Sequence, residues 1–159
     1  MVTATSRWIN VMFRGGKVAV ELVTIDDDGH ELETKTAAAW KQMKLAADID
    51  GVILRIKTAF RSTQYQQQLR DRYERYLAYV QKNELWERGG KVGPEPEKVP
   101  YASLAARPGM SFHEVGQAVD VEGAAMVGSA VETWLGAHCE RHGFKRDVPG
   151  EPWHCHWIG

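Results

Sequence analysis

Two cysteines in 159 residues, Cys139 and Cys155, are too few for a disulfide framework, so the fold must rest on an apolar core. No apolar run approaches the ~20 residues that a membrane-spanning helix needs. The opening segment, "MVTATSRWINVMFRGG", lacks an apolar stretch behind a basic start, which argues against a secretory signal and for synthesis as a soluble product. Excess charge is missing as well. With 20 basic and 21 acidic side chains the formal net charge is -1, which removes the electrostatic case for nucleic acid or an anionic bilayer as partner. Neither an internal repeat nor a low-complexity tract is present. What remains, 43% hydrophobic and 26% charged residues, is the make-up of one soluble globular domain, expected as a monomer.

Local patterns place the elements. "WINVMF" and "KVAVELVTI" predict two strands over residues 8–25 with a hairpin turn at Gly15-Gly16. "DDDG" predicts a second turn and "HELETK" a third strand. Thr36 is expected to cap a helix running to about Leu45–Ala47, with Trp40, Met43 and Ala47 on its inner face. "VILRIKTAF" (52–60) is the strongest strand signal. A long helix is predicted from Gln64 to Lys82, opened by Thr63 with Gln66 in the capping-box position. From Glu87 to Gly109, prolines and glycines without periodicity predict a long loop. A further helix is expected from Ala130 to His142, with Ser129 and Glu132 as capping box and Gly143 beyond its end. Strands and helices do not alternate regularly, so the fold class is α+β: a single domain with a small antiparallel sheet and flanking helices.

The chemistry concentrates in two stretches. In "SFHEVGQAVDV" (111–121), Gln117 stands where the H-E-x-x-H zinc helix needs its second histidine, so that reading fails. His113 and Asp120, seven apart, would face opposite sides of one straight strand. A turn at Gly116 between two short extended pieces brings them together. In "EPWHCHWIG" (151–159), an extended backbone puts His154 and His156 on one face and Cys155 on the other. A hydrolytic zinc wants three nitrogen, oxygen or sulfur ligands and one open position. His113 and Asp120 supply two, and His154 and His156 both qualify as the third. Glu151 lies where a turn across Pro152 aims its carboxylate at the open position, as a general base. His138 and His142 are expected to be structural, and Cys155 a small buried apolar group.

The series Ser111, His113, Gly116, Ala118 and Asp120, followed by E-P-W-H, resembles the VanY-type D-Ala-D-Ala carboxypeptidases, zinc peptidases that cut bacterial peptidoglycan. Related phage endolysins share this core. The resemblance runs from about Ala37 to Gly159 and includes "ILRIKTAFRSTQYQQQL". It implies a hedgehog/DD-peptidase-like fold, with residues 1–35 as a β extension and 36–159 as the catalytic core. It also implies one zinc per chain on His113, Asp120 and His154, with Glu151 as catalytic base and Arg61 as the group that binds substrate and developing oxyanion. Gln66 and Ser111 match positions that line the substrate site. His156, where many relatives carry arginine, is assigned to substrate contact and not to the metal. The activity so implied is removal of terminal D-Ala from stem peptides at the cell wall. The alternatives are a phage endolysin acting as endopeptidase and a non-catalytic wall-binding module on the same fold.

Overall fold

The computed structural model describes residues 5–82, 99 and 101–159, so most of the loop predicted over 87–109 lies outside the described residues. Strands β1 (Ser6–Phe13) and β2 (Gly16–Thr24) form the predicted hairpin, and β3 (Glu31–Glu33) adds to β2, all antiparallel. The turn between β1 and β2 is Arg14-Gly15, one residue earlier than expected, because Gly16 already pairs with Phe13. Both turn residues have positive φ, 49° and 84°, as a two-residue turn matching the right-handed twist of the strands requires.

Helix α1 (Thr34–Ile49) begins two residues before the predicted cap. Glu33 caps it: its carboxylate accepts from Lys35 N and Thr36 N and from the Thr36 hydroxyl, each at 3.0 Å. Thr36 is therefore inside the first turn and buried. Trp40, Met43 and Ala47 face the core as predicted, against Leu54, Leu135 and Phe144. Each large apolar side chain buried there contributes about 1.5–3 kcal/mol.

The strand expected over 52–60 is confined to β4 (Ile56–Thr58), because only there does the chain meet a partner strand, and a register irregularity interrupts even that pairing. Helix α2 (Thr63–Lys82) follows. Its cap is Ser62, whose Oγ accepts from Tyr65 N at 3.1 Å. The Gln66 side chain takes no part in capping and instead donates from Nε2 to the Ala106 carbonyl at 2.8 Å. Helix α3 (Ala130–His138) ends four residues short of expectation and tightens into a 3₁₀ turn, Cys139–His142, before Gly143. Ser129 caps it through Glu132 N, while the Glu132 carboxylate accepts from Gly128 N and Arg146 rather than closing a box. His138 and His142 stack on Trp134, with ring centres 4.7 and 6.1 Å away.

The second sheet positions the site. Its order is β4-β5-β7-β6, all antiparallel, with β5 Ala118–Val121, β6 Phe144–Lys145 and β7 His154–Trp157. Val119, Val121 and Cys155 point into the main core. Among the described residues, no helix is long and apolar enough to cross a membrane.

Candidate metal centre and active site

Sheet register sets one row of side chains across three strands. Thr58 on β4 stands opposite Asp120 on β5, and Asp120 stands opposite His154 on β7. Directly opposed residues in an antiparallel pair hold their Cβ atoms ~5 Å apart, so these three side chains meet by construction. His113 arrives separately. Ser111 caps a 3₁₀ turn, Phe112–Val115, which takes the place of the extended piece expected there. Gly116 then reverses the chain into β5 with φ 67°. A Cβ on Gly116 would lie 2.6 Å from Glu33 N and 2.7 Å from Leu22 Cδ2, so conformation and space both demand glycine.

The ligand atoms converge. His113 Nε2 lies 3.2 Å from Asp120 Oδ1 and 3.3 Å from His154 Nδ1, and His154 Nδ1 lies 3.1 Å from Asp120 Oδ1. A tetrahedral zinc with bonds of 2.0–2.1 Å separates its ligand atoms by about 3.3 Å, so the donor set and its spacing fit one such ion. The outer polar atoms of His113 and Asp120 are held from outside. His113 Nδ1 is 2.6 Å from the Ala59 carbonyl, which fixes the tautomer that leaves the Nε2 lone pair facing the cluster. Asp120 Oδ2 accepts from Thr58 Oγ1 at 2.5 Å and from Arg61 Nη2 at 2.6 Å, leaving Oδ1 for the cluster. Arg61 Nη2 also lies 3.2 Å from His113 Nε2. Burial opposes ionisation of Asp120, but its polar contacts with His113, His154 and Thr58 outweigh it and hold the carboxyl well below its ordinary range. Burial also pushes the His113 imidazole below its usual value, which keeps it neutral.

The cluster opens into a cavity of about 970 Å³ that Arg61, Gln66, Ser111, Glu151 and His156 also line. Glu151 sits in a tight turn in which His154 N donates to its carbonyl at 3.1 Å, the reversal expected across Pro152. Burial, with the nearby Asp120 charge, raises the Glu151 pKa despite the opposing influence of His154 and Arg61, so its carboxylate is a stronger base than usual. Gln66 is 1% exposed, and its Oε1 has no partner among the described residues. Ser111 both lines the cavity and uses its Oγ to accept from His113 N at 3.3 Å.

His156 lies two residues beyond His154 on the same face, but it is absent from the group of converging ligand atoms. Its ring stacks on Phe112, with centres 4.4 Å apart and planes 3° from parallel. Asp147 Oδ1 is 3.4 Å from its Nδ1, an ion-pair distance without hydrogen-bond alignment. Cys155 faces the core, fully buried, and burial pushes its thiol up to about 12.

Sequence reasoning missed Thr58 and Glu114. Thr58 becomes visible only through sheet register. Glu114, fully buried, accepts from Gly109 N at 2.9 Å and Ser111 N at 3.1 Å and so fixes the turn that presents His113. The S-x-x-E spacing of a capping box, Ser111 to Glu114, was the available signal.

Comparison with known proteins places this geometry. The family model described as VanY, D-alanyl-D-alanine carboxypeptidase, matches residues 29–159. A D-alanyl-D-alanine carboxypeptidase of Enterococcus faecalis is 28% identical over 152 residues, covering 88% of this chain and 53% of its own length. The chain thus spans about half the length of the curated relative it matches. Among solved structures, VanYB in complex with D-alanine-D-alanine has a TM-score of 0.64 at 28% identity, covering 88% of this chain and 78% of that one. A mutant of the vancomycin resistance D,D-pentapeptidase VanY in complex with Zn(II) has a TM-score of 0.63 at 26% identity, covering 88% and 79%. The LD-carboxypeptidase LdcB shares the fold, with a TM-score of 0.55 at 23% identity over 81% and 60% of the two chains.

Proposed function

The chain belongs to the VanY family of D-alanyl-D-alanine carboxypeptidases, and from that premise we propose that it is a zinc peptidase removing terminal D-Ala from peptidoglycan stem peptides at the bacterial cell wall. The observation that carries the proposal is the set of ligand separations in His113, Asp120 and His154, 3.1 to 3.3 Å, beside a carboxylate in the same cavity. When bound there, zinc supplies Lewis acidity for the scissile carbonyl and lowers the pKa of water towards ~7.

The chain's own residues have distinct tasks in this reading. Glu151, with its raised pKa, takes the proton of the attacking water and passes it to the leaving amine. Arg61 uses Nη2 to steady Asp120 and offers its other N–H groups to the substrate's terminal carboxylate or to the developing oxyanion. Gln66 Oε1, buried and unpartnered among the described residues, accepts from a substrate amide. Ser111 and His156 form part of the wall against which the peptide lies. Residues 1–35 act as an extension carried by the 36–159 core.

Zinc-loaded protein mixed with stem peptides ending in D-Ala-D-Ala should release a single D-Ala, read by mass spectrometry. Amidating the peptide's C-terminus should abolish cleavage, because Arg61 then has no anion to pair with. Equal cleavage of free-acid and amidated peptides at an internal bond would overturn the carboxypeptidase and leave the endopeptidase reading in its place.

A further inference from the structure

Arg14 stands outside the span matched by the family model, yet it lines the cavity of the metal cluster. It is the one non-glycine residue among those described with a positive φ, 49°, at the first position of the β1–β2 turn. Asparagine serves that position better than arginine, so backbone geometry does not account for the side chain there. The hairpin tip is tied down next to the site. Arg14 N donates to the Gly109 carbonyl at 2.8 Å, and Gly109 N is in turn held by the Glu114 carboxylate that fixes the 3₁₀ turn.

The guanidinium is also oriented. Its central carbon lies 4.5 Å from the Phe112 ring centre and 5.2 Å from that of Phe13. Phe112 stacks on His156 at 4.4 Å, and the His156 ring centre is 6.0 Å from that of His154. Arg14 is exposed, and no carboxylate among the described residues pairs with it. Stacking holds a guanidinium in place while leaving its N–H edge free for an anion.

We infer that Arg14 is a specificity-determining residue that binds a carboxylate on the part of the peptide preceding the scissile bond. The inference rests on the carboxypeptidase reading. A carboxypeptidase releases only one residue beyond the scissile bond, whereas Arg14 is reached from the cluster through His156 and then Phe112. Those steps, 6.0, 4.4 and 4.5 Å, keep Arg14 within about five extended residues of the cluster at ~3.3 Å each. The single leaving residue, D-Ala, carries one carboxylate, which this reading gives to Arg61, so an anion that meets Arg14 belongs to the acyl side of the peptide. The preferred substrate is an acidic peptide.

The test compares two peptides ending in D-Ala-D-Ala, one with an acidic upstream residue and one with that carboxylate amidated, on zinc-loaded wild type and R14N. R14N suits the turn, so the hairpin is retained, and thermal melting checks that it is. Wild type should favour the acidic peptide by about two- to fivefold in kcat/KM, through KM and not kcat, the size expected for one exposed charge-assisted contact. R14N should lose that preference by raising KM for the acidic peptide alone. If R14N slows both peptides alike, or wild type shows no preference, the assignment falls. Calorimetric binding of the same peptides separates this outcome from failure of the underlying reading. If neither peptide is cleaved, the carboxypeptidase falls. An acid-over-amide binding preference that vanishes in R14N still upholds Arg14, and equal binding of the two peptides overturns it.

Discussion

Among the described residues, two clusters bring carboxylate and imidazole ligand atoms within 4.8 Å of one another: His113, Asp120 and His154, and Asp26, Asp28 and His30. By residue type they are nearly alike. The first draws its members from a 3₁₀ turn and two strands, and all three are buried. The second lies within five residues of one turn and is partly open to solvent. The decisive difference is what holds the outer atoms. In the buried cluster, Ala59 O, Thr58 Oγ1 and Arg61 Nη2 occupy the outer atoms of His113 and Asp120, so Nε2 and Oδ1 are left pointing at one place beside His154 Nδ1. In the turn, both Asp26 oxygens are taken up by His30, through its N at 2.9 Å and its Nδ1 at 2.6 Å. That arrangement closes the turn and leaves neither Asp26 oxygen free for an ion. Proximity of ligands alone does not make a metal centre; support from behind the ligands does.

The largest effects should come from the buried ligands. H113A, D120A and H154A should each lose bound zinc, measured by elemental analysis, together with all turnover, whereas H156A should retain about one zinc per chain. Zinc lost from H156A but kept by H154A would transfer the third ligand position to His156. Next in size is E151Q, which keeps the shape of the side chain but cannot accept a proton. Zinc should stay bound while kcat falls by ~100- to 10,000-fold, and near-normal turnover would remove Glu151 from the mechanism. T58V then probes the support directly. Without its hydroxyl, Asp120 loses one of the two donors on Oδ2, and zinc affinity measured by chelator competition should fall by ~10- to 100-fold. Unchanged affinity would mean that Arg61 alone suffices to hold the carboxylate. The smallest effect belongs to the other cluster. D26N and H30A should leave zinc stoichiometry and kcat/KM as in wild type, with only a modest fall in melting temperature from loosening the β2–β3 turn. A zinc count that drops in either variant would erase the contrast between the two clusters.

Sequence by itself determined the chemistry. The β1–β2 hairpin, α1, α2 and α3 follow from alternation, helical spacing and breaker residues, because those signals reflect contacts a few residues apart. His113 and Asp120 stood out in sequence because metal ligation restricts residue type so severely, whereas His154 and His156 both qualified as third ligand and the family resemblance pointed to His154 and Glu151. Gly116 was legible as the turn between them, and its necessity is physical: only glycine has both the φ and the room. Tertiary structure decided everything that depends on register. The pairing of Asp120 with His154 and Thr58 across three strands chose His154 over His156 for the cluster. The same convergence made Gln66 a cavity residue and not a helix cap, and cut the strand expected over 52–60 to the residues that found a partner. It also carried Arg14, 99 residues before His113 in sequence, to the rim of the same cavity. Such placements arise from contacts distant along the chain, and no local pattern in the sequence encodes the distance that the fold removes.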